Sequence, residues 1–212
     1  MKNYISSWSL ICLLAWASSA FADDSVQIGC LRLALQLDAG LTQDVLEQRW
    51  GSGETNSEKS AVLELHGCKG ELLDRLELEA PLARLDPIAL RGTIVPTYLV
   101  SVDLTAPMGS YSGPLTIPVE IVSHHLKRVV ASTENKKHEP MNLALTGKAA
   151  WKKIAKRGAD EFFAVRCQPK GDGFVTSYYR YYTTRRGWKV SKRSEPGLWE
   201  SDAEFPDARH FR

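Results

Sequence analysis

The chain has 212 residues, of which 43% are hydrophobic and 25% charged. That mix belongs to a soluble globular protein and excludes a disordered chain, a collagen-like repeat and a multi-span membrane protein. Lys and Arg number 27 against 25 Asp and Glu, a net charge of +2, so the whole-chain balance points to no partner.

The N-terminus reads as a secretory signal peptide over residues 1–22. Lys2 gives a positive start, residues 10–17 form a short apolar core, and Ala20-Phe21-Ala22 fits the small-x-small cleavage pattern. The apolar run is too short to span a bilayer. Ile11 stands before Cys12, where a lipid-attachment site needs a small residue. No other segment is long and apolar enough to cross a membrane. The expected mature chain is a single exported domain over 23–212, placed in the periplasm and away from nucleic acid.

Cys12 leaves with the signal in this reading, so Cys30, Cys68 and Cys167 remain. Three cysteines allow one intramolecular pair and one leftover. Cys30–Cys68 is the expected disulfide, because both follow a glycine and both lie in the N-terminal half. Cys167 ends the apolar run 162–167 and reads as a buried thiol; its neighbour Arg166 points to the other strand face.

Period-two alternation dominates the chain, the signature of half-buried strands. Leu31, Leu33, Leu35 and Leu37 alternate with Arg32, Ala34, Gln36 and Asp38. A helix is expected over 42–50, with Thr42 as N-cap, Val45 and Leu46 on one side and Gly51 as the stop. Leu63 and Leu65 then alternate with Glu64 and His66. Residues 71–85 begin at helical spacing but turn to alternation, and Pro81 and Pro87 argue against one long helix, so the stretch reads mostly as strand. Tyr98, Val100 and Val102 oppose Thr97, Ser101 and Asp103; Leu115, Ile117, Val119 and Ile121 oppose Thr116 and Glu120.

A second helix is expected over 147–157. Ala150, Trp151, Ile154 and Ala155 would form its buried face, with Lys148, Lys152, Lys153, Lys156 and Arg157 on a solvated one and Gly158 as the stop. Its apolar side is too thin for a membrane anchor. The last third reads as an antiparallel meander: 162–168, a turn at 170–173, a Tyr-rich strand at 174–184, a turn at Arg186-Gly187, a strand at 188–192, and a last short strand at 198–200 after Pro196-Gly197. The expected fold is mainly β, with α+β as the alternative: antiparallel, sandwich-like sheets with two short helices.

Charge divides the chain at the polar run 132–140. Residues 23–123 carry 7 Lys and Arg against 15 Asp and Glu, while residues 124–212 carry 19 against 10. The expectation is one domain with an acidic lobe over 23–131 and a basic lobe over 141–212. Such asymmetry either satisfies itself internally or points to a partner. The basic part is rich in Tyr178, Arg180, Tyr182, Arg185, Arg186 and Trp188. Tyr, Trp and Arg concentrate at the energetic centres of interfaces, and these six are the expected binding residues. The competing reading is a cross-strand aromatic ladder with solvated arginines.

Catalytic signatures are sparse. Residues 109–113 place Tyr111 where a nucleophile elbow needs serine, and Thr146-Gly147-Lys148 lacks the upstream glycine of a phosphate loop. Adjacent His124 and His125 face opposite sides of a strand, and neither a metal-ligand spacing nor a cofactor fingerprint is present. The carboxylates Asp103, Glu120, Glu200 and Asp202 leave glycan hydrolysis as an alternative. Head-to-tail self-assembly of oppositely charged halves is another. The main expectation is a non-enzymatic, exported interaction protein that binds an acidic protein or an anionic glycan or lipid.

Overall fold

The computed structural model describes residues 25–38, 40–42, 59–103 and 110–211. The expected signal segment 1–22 lies outside them, as do residues 43–50 of the first expected helix. The strands are β1 (Ser25–Ile28), β2 (Leu31–Gln36), β3 (Val62–His66), β4 (Leu72–Glu77), β5 (Ala83–Leu85), β6 (Thr97–Asp103), β7 (Pro114–Val122), β8 (His125–Arg128), β9 (Val130–Ser132), β10 (His138–Pro140), β11 (Leu143–Ala144), β12 (Ala149–Lys156), β13 (Ala159–Lys170), β14 (Gly173–Thr184) and β15 (Gly187–Pro196). The fold is mainly β, as the alternation implies, and its sheets are almost wholly antiparallel.

The first sheet has the order β1-β2-β3-β4 and the second β11-β7-β6-β5, with β8 on the far side of β7. The alternation sends Leu33, Leu35, Leu63 and Leu65 of the first sheet against Tyr98, Val100, Val102, Ile117 and Val119 of the second, in one core. Polar contacts tie the same two sheets at their rim. The Leu126 N–H donates to Asp74 at 2.8 Å, and Arg128 pairs with Glu79.

The expected disulfide joins Cys30, in the Gly29-Cys30 turn of β1–β2, to Cys68 in the β3–β4 turn, with Cα atoms 4.7 Å apart. It closes a span of 38 residues at one end of the first sheet.

The third sheet has the order β10-β9-β15-β14-β13-β12. Its long hairpins follow from their turns. Gly171 has φ 58° and opens the two-residue β13–β14 loop, where a primed turn matches strand twist. The Arg185-Arg186 loop closes on Gly187 at φ 97°. The inner face of this sheet packs Phe162, Tyr181, Trp188 and Val190 against Leu90, Leu99 and Leu143, forming a second core.

The second expected helix is a strand. All eight residues of β12 pair with β13. Arg157-Gly158 is not a helix stop but a two-residue turn with φ 50° and 82°, the type I′ geometry that closes tight hairpins. Helix propensity differs by only tenths of a kcal/mol among ordinary residues, so a full ladder to a strongly apolar neighbour strand wins. The expected short strand at 198–200 also differs. Residues 197–211 form an irregular strap, ending in a 3-10 turn at Ala208–Phe211, across the outer face of the third sheet. Trp199 and Phe211 bury there against Phe163, Val165 and Tyr178, with the Phe163 and Phe211 rings stacked at 4.5 Å.

The Arg91-Gly92 turn docks on the start of β13. Arg91 grips Asp160 through Nε at 3.1 Å, Nη2 at 2.8 Å and its backbone N–H at 3.0 Å. Gly92 has φ 74°, and a Cβ there would lie 2.4 Å from the Cβ of Ala159. Burial pushes the Asp160 carboxyl up, but the Arg91 hydrogen bonds and charge outweigh it and hold the carboxyl below its ordinary range.

Reducing Cys30–Cys68, or replacing both by Ser, should lower stability by about 4 kcal/mol in the chain-entropy model, read by denaturant unfolding. For Asp160, the folded-state pKa lies below the unfolded one. Its stabilisation is therefore present above the ordinary aspartate range and disappears as pH falls through the folded value. Asp160→Asn should cost about 2 kcal/mol at pH 7, with the gap to wild type closing in acid; a pH-independent gap would contradict this.

Candidate functional site

Strand parity separates the six expected binding residues. Trp188 lies on the inner face of the third sheet, 4% exposed, its ring centre 5.9 Å from that of Phe162. Tyr178 lies on the outer face beneath the strap, edge-on to Phe211. Its hydroxyl donates to Glu195 at 2.9 Å, and burial together with Glu195 pushes the phenol up to about 12. Both rings are packing elements, and neither is presented to solvent.

The other four gather at the open end of the same sheet. Arg180 forks onto Glu161 through Nε at 2.9 Å and Nη2 at 3.0 Å, and its guanidinium lies 5.0 Å over the centre of the Tyr182 ring. Arg185 and Arg186 are exposed at the β14–β15 tip. Among the described residues neither has an acidic side chain within ion-pair distance. Lys189, which sequence reasoning passed over, pairs across from Tyr182 and extends this cationic end. The signal was available, since the Arg186-Gly187 turn sets β15 opposite β14.

Beside the tip is a notch of about 180 Å³ whose walls include Ile94, Glu120, Thr184 and Arg186. Burial raises the Glu120 carboxyl, and Lys127 across from it on β8 offsets part of that. Asp103 sits at the opposite end of the same face. The register pairs Thr97 with Glu120 and Asp103 with Pro114, so the two carboxylates are about 20 Å apart by strand rise. Glycosidase pairs need about 5–9.5 Å. Glu200 on the strap is paired with Lys148.

A larger groove crosses the part of the second sheet that the third sheet leaves uncovered. Its floor carries Arg84, Ser101 and Thr116, and Trp151 of β12 forms one wall. Two adjoining hollows, about 480 and 460 Å³, share those four residues. The hydroxyls of Ser101 and Thr116 are hydrogen-bonded at 2.7 Å. Alternation had placed Ser101 and Thr116 on the polar side of their strands. The helical reading of 147–157 hid Trp151 as their neighbour.

Cys167 is 1% exposed beneath the strap, and its sulfur accepts the Trp199 N–H at 3.5 Å. Among the described residues no three His, Cys, Asp or Glu side chains group as a metal site. No protein-family model, curated protein or solved structure matches the chain.

The division between packing and exposed residues is testable by paired variants. Trp188→Ala should cost about 3–5 kcal/mol, as a large core truncation does. The double variant Arg185→Ala/Arg186→Ala should stay within about 0.5 kcal/mol of wild type. Urea unfolding of the two proteins reads both.

Proposed function

We propose that the protein is a non-enzymatic binding module that engages an anionic partner through the cationic end of its third sheet. The observation that supports this best is the β14–β15 tip. It holds Arg185 and Arg186 exposed and without an ion-pair partner among the described residues, on strands of 12 and 10 residues. The charge of Arg180 is already met by Glu161, so Arg180 and Tyr182 act as the rigid shelf behind the tip. A guanidinium is the side chain best suited to carboxylate or phosphate, because its fork matches both. The partner is an acidic protein or an anionic glycan or lipid of the envelope, and the reading places the protein in the periplasm after removal of residues 1–22.

The test uses the full chain and three defined probes: a poly-glutamate peptide, a phosphorylated glycan and vesicles containing anionic lipid. One of them should bind with an affinity that falls as salt rises. Arg185→Ala/Arg186→Ala/Lys189→Ala should weaken that binding about tenfold, since each surface charge contributes up to about 1 kcal/mol. Equal binding by the triple variant, or no binding to any probe, would overturn the proposal.

A further inference from the structure

We infer that the free edge of β12 receives an extended acidic peptide from a protein partner as a seventh strand of the third sheet. This surface is separate from the β14–β15 tip and does not depend on it.

β12 is the terminal strand of its sheet, and among the described residues the only strand it pairs with is β13. The Cys167 N–H donates to the Lys148 carbonyl, which makes 148/167 a hydrogen-bonded pair of the same register. Hydrogen-bonded pairs alternate in an antiparallel ladder, so 150, 152, 154 and 156 also bond to β13. The tight Arg157-Gly158 turn requires the same phase. The N–H and C=O groups of Trp151, Lys153 and Ala155 therefore point away from the sheet. Ala149 spends its own on Thr146, and among the described residues nothing bonds those of the other three. Six backbone groups in a row stand ready for an incoming strand.

The ground beneath is also prepared. A strand beside β12 would extend the third sheet over the uncovered part of the second. Its downward side chains would enter the groove floored by Arg84, Ser101 and Thr116 and walled by Trp151. Trp151 is fixed for this contact by its packing on Phe162, at 5.8 Å between ring centres.

Charge selects the occupant. Lys152 and Lys156 flank the edge on the outer side, Lys153 and Arg84 on the groove side, and all four are exposed. Lysines on an edge strand ordinarily suppress pairing with copies of the same chain. Here an antiparallel β12–β12 pair would set lysines against lysines, and like charges across a ladder are destabilising. An acidic strand turns the same lysines into cross-strand pairs, and strand addition supplies main-chain hydrogen bonds with alternate pockets for specificity.

The experiment measures binding of an end-blocked seven-residue peptide alternating Glu and Val to the full chain. Amide resonances of Trp151, Lys153 and Ala155 should shift. A control peptide, N-methylated at alternate residues in either phase, keeps every charge but loses outward donors, and one phase should bind at least tenfold more weakly. Lys152→Glu/Lys156→Glu should weaken binding at least tenfold. Lys153→Pro removes an outward N–H that an edge strand can spare, and it should bind several-fold more weakly than Lys153→Ala. Arg185→Ala/Arg186→Ala should bind as wild type does, which separates this site from the tip. No binding, equal binding of both methylated phases, or loss of binding only in the Arg185/Arg186 variant would overturn the inference.

Discussion

Everything in the second half of the molecule depends on burying β13 from both sides. Its residues from Asp160 to Val165 are all buried, without the usual alternation of inside and outside. A strand of this kind needs two covers. The second sheet provides one, over Phe162 and Ala164; the strap 197–211 provides the other, over Phe163, Val165 and Cys167. The two carboxylates at the start of β13 sit under the same constraint. A buried carboxylate is tolerable only when paired and hydrogen-bonded, and each of these has its own arginine. Arg91 reaches Asp160 from the preceding turn on the inner side, and Arg180 reaches Glu161 from β14 on the outer side. The ion pairs thus pin the second sheet to the third and fix the β13–β14 register.

Where the covers stop, surface chemistry begins. The strap covers the part of the outer face that carries Phe163, Val165, Cys167 and Tyr178. Beyond it, Arg180, Tyr182 and Lys189 remain at the open end. On the inner side, the third sheet ends at β12 before it has spanned the second, and this leaves the groove over Ser101 and Thr116. Both candidate binding surfaces are edges of incomplete coverage. That explains why neither is marked by a motif: each is made from strands whose sequences also serve the core.

Most of the fold was legible because a half-buried strand writes its period directly into the sequence. Leu33 and Leu35, Val100 and Val102, Ile117 and Val119 all face the core the alternation assigned them. The disulfide was legible for a simpler reason, since Cys30 and Cys68 each lie at a glycine-marked turn. Parity is silent, however, on which face is covered. It put Tyr178 with Arg180 and Tyr182, correctly, but could not show that Phe211 and Trp199 would lie over the first and not the others. The segment 147–157 failed for a different reason. Ala150 and Ile154 share a face at both helical and strand spacing, and Arg157-Gly158 serves equally as a helix end or a hairpin turn. Only the partner strand breaks that tie.

The resolution of that tie changes what the basic residues mean. On a helix, Lys148, Lys152, Lys153, Lys156 and Arg157 would form one cationic stripe, and a stripe suits a broad anionic surface such as a membrane. On β12 the same residues divide. Lys148, just before β12, is held by Glu200 of the strap on the outer face, while Lys152 and Lys156 stand on one side of the edge and Lys153 on the other. Charge on both sides of a row of amides that nothing bonds among the described residues does not fit a flat surface well, because no plane meets all of it at once. It fits a narrow, extended ligand that lies in the plane of the sheet and carries negative side chains to either side. The placement of charge relative to backbone, more than its amount, therefore determines the kind of partner this edge can select.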